Sequence, residues 1–124
     1  MKINESGEMY LENILVLRDK LGRVRSIDIV NYTGYSKPSI SRALGNLRRE
    51  EMVSVDESGY ITLSEKGEAR AKKIYERHLI LSDFFKYIGV DDEVAASDAC
   101  KIEHDLSDET FEKIKTFIEG LRTK

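Results

Sequence analysis

Residues 26–63 constrain the fold more than any other stretch, because their hydrophobic period switches from helical to alternating and turn chemistry marks each boundary. Residues 26–32 predict a short helix with Ile27, Ile29 and Val30 inward. Thr33-Gly34-Tyr35 reads as a tight turn in which Gly34 can supply left-handed backbone. Ser36 then stands as an N-cap, and Pro38, the only proline, falls in the first turn of a second helix, where a missing N–H does no harm. Ile40, Ala43, Leu44 and Leu47 follow at helical spacing, with Ser39, Ser41, Arg42, Asn46 and Arg49 on the opposite face. Beyond them, Met52-Val53-Ser54-Val55 and Tyr60-Ile61-Thr62-Leu63 are β-type runs separated by the turn-forming Asp56-Glu57-Ser58-Gly59, which predicts a hairpin. A helix, a glycine turn, a capped basic helix and a hairpin, in that order, describe a winged helix-turn-helix.

The flanks read as helix. Leu11, Ile14, Leu15 and Leu17 give residues 8–20 an apolar stripe, with Ser6 as its cap and Leu21-Gly22 as its end. Ser64-Glu65-Lys66 opens a helix that runs through Ala69, Ala71 and Ile74 toward His78. Further helices are expected over residues 79–87, ending at Gly89, and over residues 92–104. A last one starts at the cap Ser107 and carries Phe111, Ile114, Phe117, Ile118 and Leu121. The expected fold class is mainly α with a small β-hairpin: a winged helix-turn-helix DNA-binding domain over residues 1–74, then an all-helical domain over residues 75–124.

A net charge of −3 argues against a nucleic-acid partner until its distribution is considered. Residues 1–90 carry +2 and residues 91–124 carry −5, and residues 37–49 hold Lys37, Arg42, Arg48 and Arg49 without an acid. The second helix of such a pair enters the major groove, where its N-terminal half reaches base edges and its free N–H groups favour phosphate. The expected contacts to double-stranded operator DNA are Ser36, Lys37, Pro38, Ser39, Ser41, Arg42, Asn46 and Arg49. The serines allow close approach and Arg42 can reach a base, most often guanine. Lys37, Arg48 and Arg49 look more like phosphate contacts, which position without specifying. For any one of these residues the plainer reading is a helix start with a solvated face; the ordered combination is what points to DNA.

Composition excludes other classes. The longest apolar-rich patch, residues 79–90, is broken by Ser82, Asp83 and Lys86, so no membrane span is expected. Met1-Lys2-Ile3-Asn4-Glu5 lacks the apolar run of a secretory leader, and a single cysteine, Cys100, forms no internal disulfide; both favour the cytoplasm. A chain of 124 residues buries a modest core, so a second copy would help it. An enzyme is not expected. Glu103-His104 is not a His-Glu-x-x-His signature, and neither a glycine-rich phosphate loop nor a nucleophile elbow is present.

A second group of residues has the chemistry of metal ligands. Met9 and Glu12, three apart, share a face of the first helix. Cys100, Glu103 and His104, at i, i+3 and i+4, present thiol, carboxylate and imidazole on one helix face, and His78 is the only other histidine. These are donors of mixed softness. Each has a blander reading: Met9 as packing, Cys100 as a small hydrophobe, and Glu103-His104 as a solvated helix end.

Three segments carry a resemblance to a known family. They are Glu8-Met9-Tyr10-Leu11; Arg77-His78-Leu79 followed by Phe84-Phe85 and Ile88-Gly89-Val90; and Asp98-Ala99-Cys100-Lys101-Ile102-Glu103-His104 followed by Leu106-Ser107-Asp108-Glu109. Ser36-x-Pro38-Ser39 and Leu47 agree with them. Together they resemble the diphtheria toxin repressor and manganese transport regulator family over nearly the whole chain.

The resemblance implies a homodimeric transcription repressor of metal homeostasis genes, with residues 75–124 as its metal-binding and dimerisation domain. Such a repressor binds operator DNA when divalent metal ties the first helix to the dimerisation helices. By resemblance, Met9, Cys100, Glu103 and His104 match the iron-type activating site. Glu12 and His78 match ligand positions of the manganese-type members, together with the equivalents of Glu103 and His104. The chain is a hybrid: Met9 and Cys100 stand where manganese-type members place an aspartate and a glutamate. Ser82 and Ala96 stand where iron-type members supply ancillary ligands, and the SH3-like domain of those members is not expected here. The implied co-repressor is Fe²⁺, favoured by the sulfurs, or Mn²⁺, with other divalent transition metals substituting in vitro.

Two competing readings remain open at this point. A winged-helix regulator answering to an organic ligand or to thiol oxidation at Cys100 would bind DNA equally with and without metal. A winged-helix protein-interaction module would not bind DNA in a salt-dependent way.

Overall fold

The computed structural model describes residues 5–122, so the first four residues of the expected leaderless N-terminus lie outside the described residues. The chain forms two compact units, Met1–Lys72 and Lys73–Lys124.

In the first unit α1 spans Glu5–Leu21. It starts before Ser6, so Ser6 lies inside the helix and is not its cap. Leu11, Ile14, Leu15 and Leu17 are buried, as their spacing predicts. A short strand β1, Val24–Arg25, leads into α2, Ser26–Thr33. Gly34 takes the left-handed conformation (φ 78°) and its N–H returns to the Val30 carbonyl, the geometry a side chain resists. Ser36 caps α3, Lys37–Arg49, its hydroxyl accepting the Ser39 N–H at 3.3 Å. Ile40, Leu44 and Leu47 of α3 are buried. Strands β2, Val53–Val55, and β3, Tyr60–Leu63, pair antiparallel around a turn held by the Asp56 carboxylate, which accepts the N–H groups of Ser58 and Tyr60 at 2.9 Å. The first residues of α4, Glu65–Tyr87, complete the unit.

Two expectations for this unit need correction. The hairpin is part of a three-stranded antiparallel sheet of order β1-β3-β2, with Val24 opposite Ile61 and Arg25 opposite Tyr60. In α2, Ile29 is buried but Ile27 is 48% exposed and Val30 half-buried. Positions two apart on an α-helix point roughly 200° from one another, so Ile27 and Ile29 cannot both face inward.

The second unit holds the remainder of α4, then α5, Asp92–Ile102, and α6, Asp108–Arg122. Asp91 caps α5 and Ser107 caps α6, each side chain accepting an N–H at 3.1 Å. Ile80, Phe111 and Ile118 form its core, with Phe84, Leu106, Ile114 and Leu121 packed against them. Here too two boundaries differ from expectation. The predicted break after His78 is absent and α4 is one helix, because neither glycine nor proline lies between Gly67 and Tyr87 to end it. The helix expected over residues 92–104 stops at Ile102, so Glu103 is the C-cap of α5 and His104 lies in the turn that follows.

Candidate metal centre and nucleic-acid face

In the second unit α4 and the end of α5 bring His78, Glu103 and His104 together. The Glu103 side chain is fully buried. Its Oε2 lies 3.1 Å from His78 Nδ1 and its Oε1 lies 3.4 Å from His104 Nε2. The His104 side chain is 3% exposed and that of His78 24%. Glu103 keeps helical backbone (φ −60°, ψ −27°) and its N–H still reaches the Ala99 carbonyl at 3.0 Å, which fixes the direction of its side chain.

Among the described residues Glu103 Oε1 has no hydrogen-bond partner, although His104 Nε2 lies 3.4 Å away. A carboxylate taken out of water without full compensation is costly, and a cation beside it removes that cost. Imidazole and carboxylate are suitable donors for a divalent transition metal, so His78 and Glu103 fit the ion that the sequence implies, while His104 meets the other carboxylate oxygen. Cys100, the fourth donor expected from this region, is exposed on α5. α5 ends at Ile102, so His104 lies in the turn beyond it, while Glu103, still helical, stays one turn on from Cys100.

The other two expected donors lie on α1. Glu12 is buried, 8% exposed, and Met9 is half-buried. The Met9 sulfur accepts the Tyr35 hydroxyl at 3.4 Å. Tyr35 also sits edge-on to Tyr10, with ring centroids 5.9 Å apart. Burial first, and the neighbouring Tyr35 second, push the Tyr10 hydroxyl above the usual phenol range, against a lowering effect from Arg42. Glu8 is buried and paired with Arg70 at 2.6 Å. Sequence reasoning missed the role of Tyr35; its place directly before the Ser36 cap was the available signal.

On α3, Ser36, Lys37, Pro38, Ser41, Arg42 and Arg49 are exposed, and Ser39 and Asn46 are half-buried. Arg42 donates to the Ser39 hydroxyl at 3.4 Å, and Arg49 donates to the Asn46 side-chain carbonyl. Lys37, Ser41 and Arg42 therefore offer exposed polar groups at the head of the helix. Two further basic residues went unnoticed in the sequence because β1 is too short to show alternation. The guanidinium carbons of Arg23 and Arg25 lie 4.9 and 4.3 Å from the ring centroid of Tyr60.

Residues 64–124 match the family model for the iron dependent repressor, metal binding and dimerisation domain. An HTH-type transcriptional regulator of Methanocaldococcus jannaschii is 32% identical over 124 residues, covering 98% of this chain and 99% of that protein. The transcriptional regulator MntR of Escherichia coli O157:H7 is 31% identical over 108 residues, covering 87% of this chain and 70% of that protein. Among solved structures, the manganese regulator SloR matches 96% of this chain with a TM-score of 0.81 at 24% identity. The metal-dependent transcriptional regulator MtsR matches 96% with a TM-score of 0.84 at 19% identity. These two show a shared fold, and the chain spans about half the length of each, 55% in both cases.

Proposed function

Because the chain belongs to the diphtheria toxin repressor and manganese transport regulator family of metal-dependent transcription repressors, we propose that it is a homodimer that binds operator DNA when a divalent metal ion is bound, and that it so controls metal homeostasis genes. It is a transcriptional regulator and not an enzyme, as its relatives are. The observation that carries the metal reading is Glu103, a fully buried carboxylate between two imidazoles, with one oxygen that has no hydrogen bond among the described residues.

His78, Glu103 and His104, with Cys100, are the donors of the second unit in this reading, and Met9 and Glu12 of α1 complete the set. A bound divalent cation would supply the positive charge that offsets the buried carboxylate. On the family resemblance, metal occupancy is linked to the DNA-competent state. Only a difference in metal affinity between DNA-competent and other states can drive that link, at roughly 1–3 kcal/mol of coupling. In a dimer the two copies of α3 must stand about 34 Å apart, one turn of DNA, to enter successive major grooves. Lys37, Arg48 and Arg49 then contact phosphate and Arg42 reads a base edge. Exposed apolar side chains of the second unit, among them Tyr87, Ile88, Val94 and Phe117, supply the surface for a second copy.

The sulfurs favour Fe²⁺ over Mn²⁺, while Co²⁺, Ni²⁺ and Zn²⁺ would substitute in vitro by affinity order. Among the described residues no helix is long and apolar enough to cross a membrane. We place the repressor in the cytoplasm, where its thiol stays reduced.

The test is an anaerobic gel-shift titration with Fe²⁺, Mn²⁺ and chelator on wild type, Glu103→Gln and His104→Ala, with oligomeric state measured on the same samples. Metal-dependent operator binding should disappear in both variants while a folded dimer remains. An unchanged metal response in either variant overturns the assignment.

A further inference from the structure

We infer that Arg77 is a positioning residue of the metal centre, holding the turn that presents Glu103; this rests on the metal reading above. Arg77 immediately precedes His78 on α4, and its side chain is 7% exposed. One guanidinium nitrogen, Nη1, donates to two backbone carbonyls at once, that of Glu103 at 3.0 Å and that of Leu106 at 2.6 Å. The other, Nη2, donates to the Asp108 carboxylate at the start of α6. The guanidinium also lies 5.1 Å from the centre of the buried Phe111 ring.

The end of α5 explains why such a group is needed there. The last carbonyls of a helix have no partner within it, and buried ones must find one elsewhere. Arg77 supplies it for Glu103, and in doing so closes the span from Glu103 to Asp108 against α4. Consecutive positions of one helix thus provide a metal donor, His78, and the clamp on the backbone of another, Glu103. Arginine suits this task because its planar fork carries donors in fixed directions, and its charge is answered here by Asp108. Guanidinium has no lone pair to give, so Arg77 acts on the ion only through Glu103 and His104. Groups that orient metal ligands typically change affinity by about 10–100-fold when removed.

The test compares wild type, Arg77→Met, Arg77→Lys, Asp108→Asn and Glu103→Gln. Two readouts are used: the affinity for Mn²⁺ by anaerobic titration calorimetry, and amide hydrogen exchange of residues 103–107 in the metal-free protein. Arg77→Met should weaken Mn²⁺ binding by about tenfold or more and speed exchange across that turn. Arg77→Lys, which keeps a charge and one donor group but not the fork, should fall between Met and wild type. Asp108→Asn leaves the two carbonyl contacts in place and should keep an affinity close to wild type. Arg77→Met binding Mn²⁺ like wild type, while Glu103→Gln does not, overturns the inference alone. Glu103→Gln binding like wild type overturns the metal reading itself. Should Arg77→Met fail to fold, Arg77→Lys decides: a folded lysine variant with wild-type affinity and wild-type exchange removes Arg77 from the centre.

Discussion

Replacing Gly67 by alanine should destabilise the protein by far more than the loss of one glycine usually alters a helix. A Cβ built on Gly67 stands 2.0 Å from the Met52 carbonyl oxygen and 2.8 Å from its carbon. Ordinary contact begins near 3.4 Å, so the two segments must part by more than an ångström. The atoms in the way are backbone and have no rotamer by which to escape. They are also tied: the Met52 carbonyl accepts the Ser64 N–H at 2.9 Å and the Ser64 hydroxyl at 3.0 Å, and the Met52 N–H donates to Leu47 at 2.8 Å. Overpacking of this kind costs about 1–3 kcal/mol, and the two bonds to the Met52 carbonyl contribute about 1 kcal/mol each. The better helix propensity of alanine returns up to about 1 kcal/mol. The net expectation is a loss of about 2–4 kcal/mol, and a fall in melting temperature of roughly 6–20 °C for a chain of this size. Thermal unfolding followed by circular dichroism in chelator measures it, with Gly45→Ala as the matched control. Gly45 lies in α3 with only the Arg49 side chain nearby, at 3.9 Å, so alanine there should add about 0.5–1 kcal/mol of stability. A Gly67→Ala protein that melts at or above wild type would refute the close approach of α4 to the segment before β2.

Two further predictions bear on DNA and on assembly. Arg42→Ala should cost about 1–3 kcal/mol on the preferred operator and little on unrelated DNA, measured by competition binding at fixed salt; equal losses on both would make Arg42 a phosphate contact. Phe117 is 49% exposed beside Tyr87, with ring centroids 5.9 Å apart, so Phe117→Glu should shift sedimentation from dimer toward monomer; an undisturbed dimer would move the interface to another face.

Much of the fold was legible because local signals and long-range packing agree. Ser36, Pro38 and Gly34 each demand one backbone conformation, and the chain adopts it at all three. The wing was legible from Val53, Val55, Ile61 and Leu63, whose alternation survives in the paired strands. What failed did so for physical reasons. Val24 and Arg25 form a strand only because Ile61 and Tyr60 lie opposite them, and two residues carry no period of their own. The helix through His78 was divided in the reading, yet local sequence offers nothing there to divide it.

The candidate centre was legible as residue types and spacing, but its organisation was not. Spacing treats Cys100, Glu103 and His104 as equals on one face. The end of α5 at Ile102 separates them into an exposed thiol, a fully buried carboxylate and an almost buried imidazole. Arg77 stands out in the sequence only as part of the Arg77-His78-Leu79 segment; its contacts with the Glu103 and Leu106 carbonyls depend on the path of the turn.

That separation bears on how one centre could tell two ions apart. Glu103 already stands between the imidazoles of His78 and His104, and imidazole suits Fe²⁺ while carboxylate suits Mn²⁺. The two sulfurs stand differently. Cys100 is exposed, and the sulfur of Met9 is engaged by Tyr35. On the proposed reading, the imidazoles and the carboxylate hold the ion, and the sulfurs add a preference for a softer one.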